Sequence, residues 1–315
     1  MNHPVTYRHI QESSQGQRID NYLITALKGL PKSRIYTLLR KGEIRVNKKR
    51  VSPEYRLQAG DEIRIPPLRL GKEETPVFRE DLFKGLCQRI LYEDEHILVL
   101  NKPQGLSVHG GTHQSLGLIE CLKQGFNNEK MELIHRLDKD TSGCLLIAKT
   151  RSALHFYHEI FKKRQVKKRY LALVYGRWPE KKNRVTLSLQ IKSEREGSKK
   201  MGVSEEGQEA MTDFSILQYY SNATLVAAEP FTGRTHQIRV HAAAVGHPLL
   251  GDEKYGSRRF DKAVFKAKAP RLFLHALSLT FPHMKTQELL QISVEPDKGW
   301  KEALDSLLLC SKENL

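Results

Sequence analysis

The 315-residue sequence predicts an α+β protein made of two domains. Three features lead to this. Apolar residues recur at helical spacing near the N-terminus and then give way to strand-like alternation. From residue 89 onward, short apolar runs alternate with loops dense in functional groups. The positive charge gathers in two stretches instead of spreading over the chain. Length alone suggests about two domains.

Residues 1–17 are polar and lack the apolar stretch of a signal peptide, so they read as an N-terminal tail. Ile19, Tyr22, Leu23, Ala26 and Leu27 mark a first helix, and Gly29 and Pro31 break it. Ser33 is the expected N-cap of a second helix carrying Ile35, Leu38 and Leu39, which Gly42 ends. Residues 43–47 alternate as a strand, 47–50 form a turn, and 61–65 close the module before Pro66 and Pro67. Residues 67–88 read as a linker, giving a small domain with its linker over 18–80 and a larger one over 81–315. Within the latter, 89–92 and 97–100 are short strands around the turn 93–95, and 101–105 is a loop. Residues 144–148 are a buried strand and 152–161 a helix. Further strands are expected at 170–174, 223–228 and 272–274, with a helix beginning near Thr235.

Fifty-two Lys and Arg against thirty-six Asp and Glu give a net charge of +16. Residues 31–72 hold 12 basic and 4 acidic side chains, residues 151–202 hold 15 and 4, and the remainder nets −3. Either stretch alone reads as a solvated helix end. Together they point to two contact areas for a polyanion, nucleic acid above all. No amphipathic helix with an exposed apolar face accompanies them, and no apolar run approaches the ~18 residues of a membrane span. Four widely separated cysteines, with no C-x-x-C pair, argue against a zinc ribbon or a disulfide scaffold and suit a reducing cytoplasm.

Two loop segments carry the chemistry. His135-Arg136-Leu137-Asp138-Lys139-Asp140-Thr141-Ser142-Gly143 runs directly into a buried strand, a mount that exposes a carboxylate while the sheet fixes it. In the second, residues 232–241, Gly233 offers a permissive turn and Thr235 a helix cap. His236 and His241 are five apart, which does not suit a helical zinc pair, so each reads as an ordinary hydrogen-bonding histidine. Neither a phosphate-binding glycine loop nor a G-x-S-x-G elbow is present. The residues by themselves offer an acid, arginines and hydroxyls without specifying a reaction.

The ordered series is more specific than any single motif. His135–Asp138 with Thr141-Ser142-Gly143, then 168–174, Gly233–His241, Gly246-His247-Pro248 and 272–276, resembles the RluA-type pseudouridine synthases. The likeness is closest to the branch acting on 23S ribosomal RNA. Residues 18–66, with Pro31-Lys32-Ser33, resemble the S4 RNA-binding domain, a small αL-type fold. Val108-His109-Gly110-Gly111 completes the likeness, which covers most of residues 18–300. It implies a mixed, largely antiparallel sheet around a central active-site cleft, no cofactor and no metal.

The resemblance also implies roles. Asp138 is the catalytic aspartate, Arg239 its ion-pair partner, Tyr170 the aromatic lying against the uracil, and Arg136 the side chain that fills the space of the displaced nucleotide. Lys32, Arg34, Arg40, Lys41, Lys48, Lys49 and Arg50 form the RNA-facing side of the first domain, while Lys102 and Arg234 are expected to contact phosphates. The implied partner is 23S rRNA or a precursor of the large ribosomal subunit, and the enzyme is expected to be a cytoplasmic monomer. A non-catalytic rRNA-binding assembly factor that keeps the fold is the alternative. One departure stands out: residues 207–212 read Gly-Gln-Glu-Ala-Met-Thr where many relatives carry a basic or proline-rich stretch.

Overall fold

The structure, a computed structural model, describes residues 2–3, 5–27, 29–69, 78–110, 116–195 and 198–307. The chain divides into two compact units, Met1–Val77 and Phe78–Leu315. In the first, strands β1 (Asn2–His3) and β2 (Thr6–His9) precede helices α1 (Ile19–Ala26) and α2 (Lys32–Lys41). Strands β3 (Arg45–Val46), β4 (Glu62–Ile65) and β5 (Leu68–Arg69) follow. Strand β2 pairs with β4 in a three-stranded sheet with β3, so residues 6–9 are a strand where a tail was expected. Its side chains are all exposed, which is why no apolar alternation announced it.

The core of this unit joins Ile19 and Leu23 of α1 to Ile35, Leu38 and Leu39 of α2 and to Val46, Ile63 and Ile65 of the sheet. Helix α2 starts one residue before Ser33, with Pro31 at its N-cap; the preset φ of −56° starts the helix without a hydroxyl. Gly42 ends it in the left-handed region at φ +69°. The basic tip is a tight turn with Asn47 and Lys48 at φ +48° and +68°. It is anchored by the buried Asp61, which accepts from the Asn47 amide at 2.7 Å and the Tyr55 hydroxyl at 3.1 Å.

The second unit begins with α3 (Glu80–Cys87), a helix within the span read as linker; residues 70–77 of that span lie outside the described residues, as does Gly111. The order continues β6 (Ile90–Glu93), β7 (Ile97–Lys102), α4 (Leu118–Gly125), β8 (Glu132–Leu133), β9 (Ser142–Ala148), α5 (Arg151–Lys162) and β10 (Lys167–Tyr175). Then come β11 (Arg184–Arg195), β12 (Ser198–Val203), β13 (Gln208–Tyr220), β14 (Ala223–Pro230), α6 (Gln237–Ala244) and α7 (Arg258–Phe265). Strands β15 (Leu274–Pro282) and β16 (Leu289–Ser293) and helix α8 (Lys298–Asp305) close it. Strands β11 to β13 were not foreseen, because their charged, half-exposed residues dilute the apolar signal. The strand expected at 272–274 begins only at Leu274.

One mixed sheet of order β12-β11-β13-β14-β10-β15-β9-β7-β6 organises the unit, with β16 on β15 and β8 on β9. Strands β7 and β9 are covered on both faces, which explains their unbroken apolar runs. Ile97, Val99, Cys144 and Leu146 pack with Tyr157 and Ile160 of α5 on one side. Leu98, Leu100, Leu145 and Ile147 pack with Leu118 and Leu122 of α4 on the other. Every pairing in this sheet is antiparallel except β9 with β15, joined in parallel over only two pairs, His275–Ser142 and Ala276–Gly143. Gly143 permits this join: it sits at φ +106°, and a Cβ there would fall 2.2 Å from the Ala276 carbonyl oxygen.

His135 and His241 of this unit are held neutral by desolvation. His135 Nε2 accepts the backbone N–H of Leu146 at 3.0 Å, tying the 135–141 loop to β9, and its ring stacks on Phe161. Burial pushes its pKa down to about 3. His241 on α6, expected to be hydrogen-bonded, is fully buried with neither ring nitrogen bonded among the described residues, and burial lowers it to about 4.

Gly143→Ala should therefore destabilise the second unit by several kcal/mol, because backbone, not a movable side chain, occupies the space; urea unfolding of wild type and variant measures it. The histidines set a pH dependence. Their folded pKa values lie below the usual 6.5, so the unfolded chain takes up protons first as pH falls. Stability present above about pH 6.5 is lost on acidification toward pH 4, on the order of 1–2 kcal/mol per histidine at pH 5. His241→Leu should raise the melting temperature more at pH 5 than at pH 7.5; an equal shift at both pH values would contradict this.

Candidate active site

Asp138 lies in the loop that leads into β9, a few residues before the parallel join. The loop is held from three directions. His135 ties it to Leu146, as described above. The Asp138 carbonyl accepts the N–H of Thr141 at 3.1 Å, closing a turn around the aspartate. From below, Lys102 at the end of β7 donates to the carbonyls of Pro103 and Leu106 at 2.9 Å and of Lys139 at 2.8 Å. Lys102 is fully buried, with its pKa pushed down to about 8 by desolvation and supported by the charges of Asp140 and Asp138. The expectation of a phosphate contact at Lys102 is thus overturned: all three ammonium donors are spent on loop carbonyls, and none reaches solvent.

Arg239 on α6 meets the aspartate. Its Nη1 donates to Asp138 Oδ2 at 3.1 Å, while Nε and Nη2 donate to the two oxygens of Asp252 at 2.7 Å each. The Asp252 side chain is fully buried and also accepts the N–H groups of Lys254 and Tyr255. Flanked by two carboxylates, Arg239 keeps its charge against burial, its pKa held far above the usual value. Asp252 was not singled out from the sequence, since an isolated Gly-Asp pair carries no periodic or spacing signal.

The second loop is built differently from expectation. Thr235 does not cap α6; the N-cap is His236, in the left-handed region at φ +55°, and the described conformation of Gly233 needs no positive φ. The loop is closed by the buried amide of Gln237. Its Oε1 accepts from Thr232 Oγ1 at 2.6 Å and the Arg234 N–H at 3.0 Å, and its Nε2 donates to the Met211 carbonyl at 3.0 Å and Thr212 Oγ1 at 2.9 Å. Four bonds leave this buried amide fully satisfied. His236 thereby comes within 3.6 Å of Asp138 Oδ2 through Nε2, so it belongs to the site and is not the ordinary structural histidine expected.

Two cavities meet at Asp138, both lined by Arg136, Asp138, Thr235, His236 and Arg239. The smaller, about 260 Å³, has walls from Tyr170, Leu274, Ile238 and Phe161. Tyr170 and Lys168 share one face of β10, so the strand's period of two brings both to this cavity. Lys168 donates to the Thr232 carbonyl at 3.2 Å, and desolvation lowers it to about 8. The larger cavity, about 630 Å³, is polar and basic, with Lys139, Lys254, Lys268 and Arg271 in its lining. Arg136 is exposed at the border of both and makes no side-chain hydrogen bond among the described residues.

The remaining basic residues singled out from the sequence whose side chains are described are exposed. Arg234 is exposed, with Nε on the Glu209 carbonyl at 3.2 Å. In the first unit Arg34, Arg40 and Lys41 of α2 and Lys48, Lys49 and Arg50 of the turn are exposed, and Arg50 Nη2 on the Arg40 carbonyl links helix to turn. Lys32 is the first residue of α2; its side chain lies outside the described residues. Among the described residues, no group of three or more His, Cys, Asp or Glu is placed to hold a metal ion. No described helix is long and apolar enough to cross a membrane.

Comparison with known proteins agrees with this geometry. Residues 96–244 match the family model for RNA pseudouridylate synthase, and residues 17–63 match the S4 domain. The chain is 49% identical to ribosomal large subunit pseudouridine synthase C of Escherichia coli K12, over 95% of both chains. It is 48% identical to the protein of that name from Pasteurella multocida, over 98% of this chain and 95% of that one. Among solved structures, human RNA pseudouridylate synthase domain containing 4 matches with a TM-score of 0.58 and 28% identity, over 71% of this chain and 95% of that one. With an S4 domain ahead of the synthase domain and relatives of this identity over nearly its whole length, the chain belongs to the RluA-type pseudouridine synthases, isomerases that act on RNA.

Proposed function

We propose that this enzyme isomerises uridines of 23S rRNA to pseudouridine, with Asp138 as the catalytic carboxylate. The observation that carries the reading is the position of Asp138 between a nucleobase-sized, partly apolar cavity and a larger basic one, 3.1 Å from a buried arginine. The names of the curated relatives supply the large-subunit substrate.

The reaction breaks N1–C1′, turns the uracil and joins C5 to C1′; N1 gains a proton and the C5 hydrogen leaves to solvent. The target base must first leave its stack, at a cost of a few kcal/mol. Arg136, unpartnered and exposed at the border of the cavities, is suited to fill the vacated space, where a planar guanidinium can stack and hydrogen-bond. Tyr170 offers its ring to the detached uracil, an interaction worth ~1–3 kcal/mol. Asp138 meets the sugar side of the nucleoside, and Arg239 sets the electrostatics of that carboxylate. Arg234 and the exposed cations of α2 and its following turn supply phosphate contacts that depend on salt.

The direct test is tritium release from 23S rRNA carrying C5-labelled uridine. Asp138→Asn should bind RNA as tightly as wild type and release no tritium; release at a rate near wild type would refute the role of Asp138. Arg239→Ala should lose turnover and about 3–5 kcal/mol of stability as well, because it strands the fully buried Asp252. Denaturant unfolding beside the tritium assay separates the two effects.

A further inference from the structure

Tyr255 lies outside the lining of both cavities, yet it is bonded on three sides to the catalytic group's neighbours. Its backbone N–H donates to Asp252 Oδ1 at 3.1 Å, and its ring lies against Arg239, with Cζ 5.2 Å from the centroid. Its hydroxyl accepts the backbone N–H of Met201, on β12, at 2.8 Å and lies 2.8 Å from His236 Nδ1. A phenol has one proton to give, and among the described residues only His236 Nδ1 is placed to receive it. That bond leaves the imidazole proton on Nε2, the nitrogen facing Asp138 Oδ2. The opposite tautomer would set a lone pair against the carboxylate and leave the phenol proton without an acceptor. His236 is neutral at pH 7, since burial brings it down to about 4, so it acts as a directed N–H dipole and not as a cation. Its left-handed backbone, uncommon for a side chain of this size, is held by the Gln237 bonds on its C-terminal side.

Both groups face the same oxygen: Arg239 Nη1 donates to Oδ2 of Asp138 at 3.1 Å, and His236 Nε2 lies 3.6 Å from it, an electrostatic contact longer than a hydrogen bond. No donor meets Oδ1 among the described residues. We propose that His236 and Tyr255 are positioning residues: Tyr255 locks the Nε2–H tautomer, and His236 with Arg239 restrains Oδ2 so that Oδ1 is the oxygen presented to the nucleoside. This deepens the reading above and rests on Asp138 being the catalytic carboxylate. The tautomer lock itself is observable without turnover.

A kinetic cycle tests it. Tyr255→Phe keeps the ring over Arg239 and removes only the hydroxyl; kcat should fall about tenfold with KM for rRNA unchanged. His236→Gln places an amide N–H near Nε2 that needs no tautomer lock, and should retain kcat within about fivefold of wild type. Adding Tyr255→Phe to His236→Gln should then cost less than twofold. Equal losses in both backgrounds would mean that Tyr255 acts only by seating β12, and would overturn the proposal, as would an unchanged kcat or an effect confined to KM. A second measurement stands apart from activity and from the folding of His236→Gln: two-bond 15N–1H spectra of uniformly labelled wild type and Tyr255→Phe. The histidine resonance perturbed by Tyr255→Phe should show the Nε2–H pattern in wild type; an Nδ1–H pattern there refutes the lock.

Discussion

The fork of Arg239 is the constraint around which the site is arranged. Guanidinium donors are fixed in one plane, so once Asp252 takes Nε and Nη2, the direction of Nη1 is no longer free. That remaining donor meets Asp138, 101 residues away in sequence. A lysine would supply the charge without the direction. One cation between two carboxylates also leaves the cluster net negative, and burial makes that expensive. The fully buried ammonium of Lys102, whose charged form is favoured by Asp138 and Asp140, offsets part of it while tying down the loop that carries the aspartate. Electrostatic compensation and loop geometry are thus served by one side chain.

The fold places this cluster beside a short join in the sheet. Strands β9 and β15 share only two residue pairs, in the one parallel contact of an otherwise antiparallel sheet. On one side of the join, β7 and β9 are buried on both faces and bring up the Asp138 loop; on the other, β10, β13 and β14 carry Tyr170 and the Gln237-closed loop. A cleft at such a join can bring together groups far apart in sequence while each remains fixed to a rigid strand or helix. The two cavities differ for the same reason. Residues on the inward face of β10 and at the start of β15 give the smaller one its aromatic and apolar walls. Loops after Asp138 and Leu250 give the larger one its charges.

Much of this was legible in the sequence. The helices 19–26 and 32–41, the turn at 47–48, and strands β7, β9, β10 and β14 follow from apolar period and from Gly42, because these segments bury regular faces. Asp138, Arg239, Tyr170 and Arg136 were singled out through motif resemblance, and the structure brings all four to one place. What escaped was of another kind. Strand β2 and the arm of β11, β12 and β13 are exposed enough that polar residues mask their alternation. Lys102 looked like a phosphate ligand because sequence gives the identity of a cation and not the three carbonyls around it.

The residues alone determined the two-domain α+β plan, the two basic zones and the identity of the aspartate loop, since these rest on local periodicity, composition and contiguous motifs. Only the tertiary structure decided that Asp252 fixes the fork of Arg239, that Gln237 and not Thr235 closes the second loop, and that His236 faces Asp138 with Tyr255 behind it. Each of these depends on where a donor points after chain segments distant in sequence have met, and direction is a property of packing that no single segment encodes.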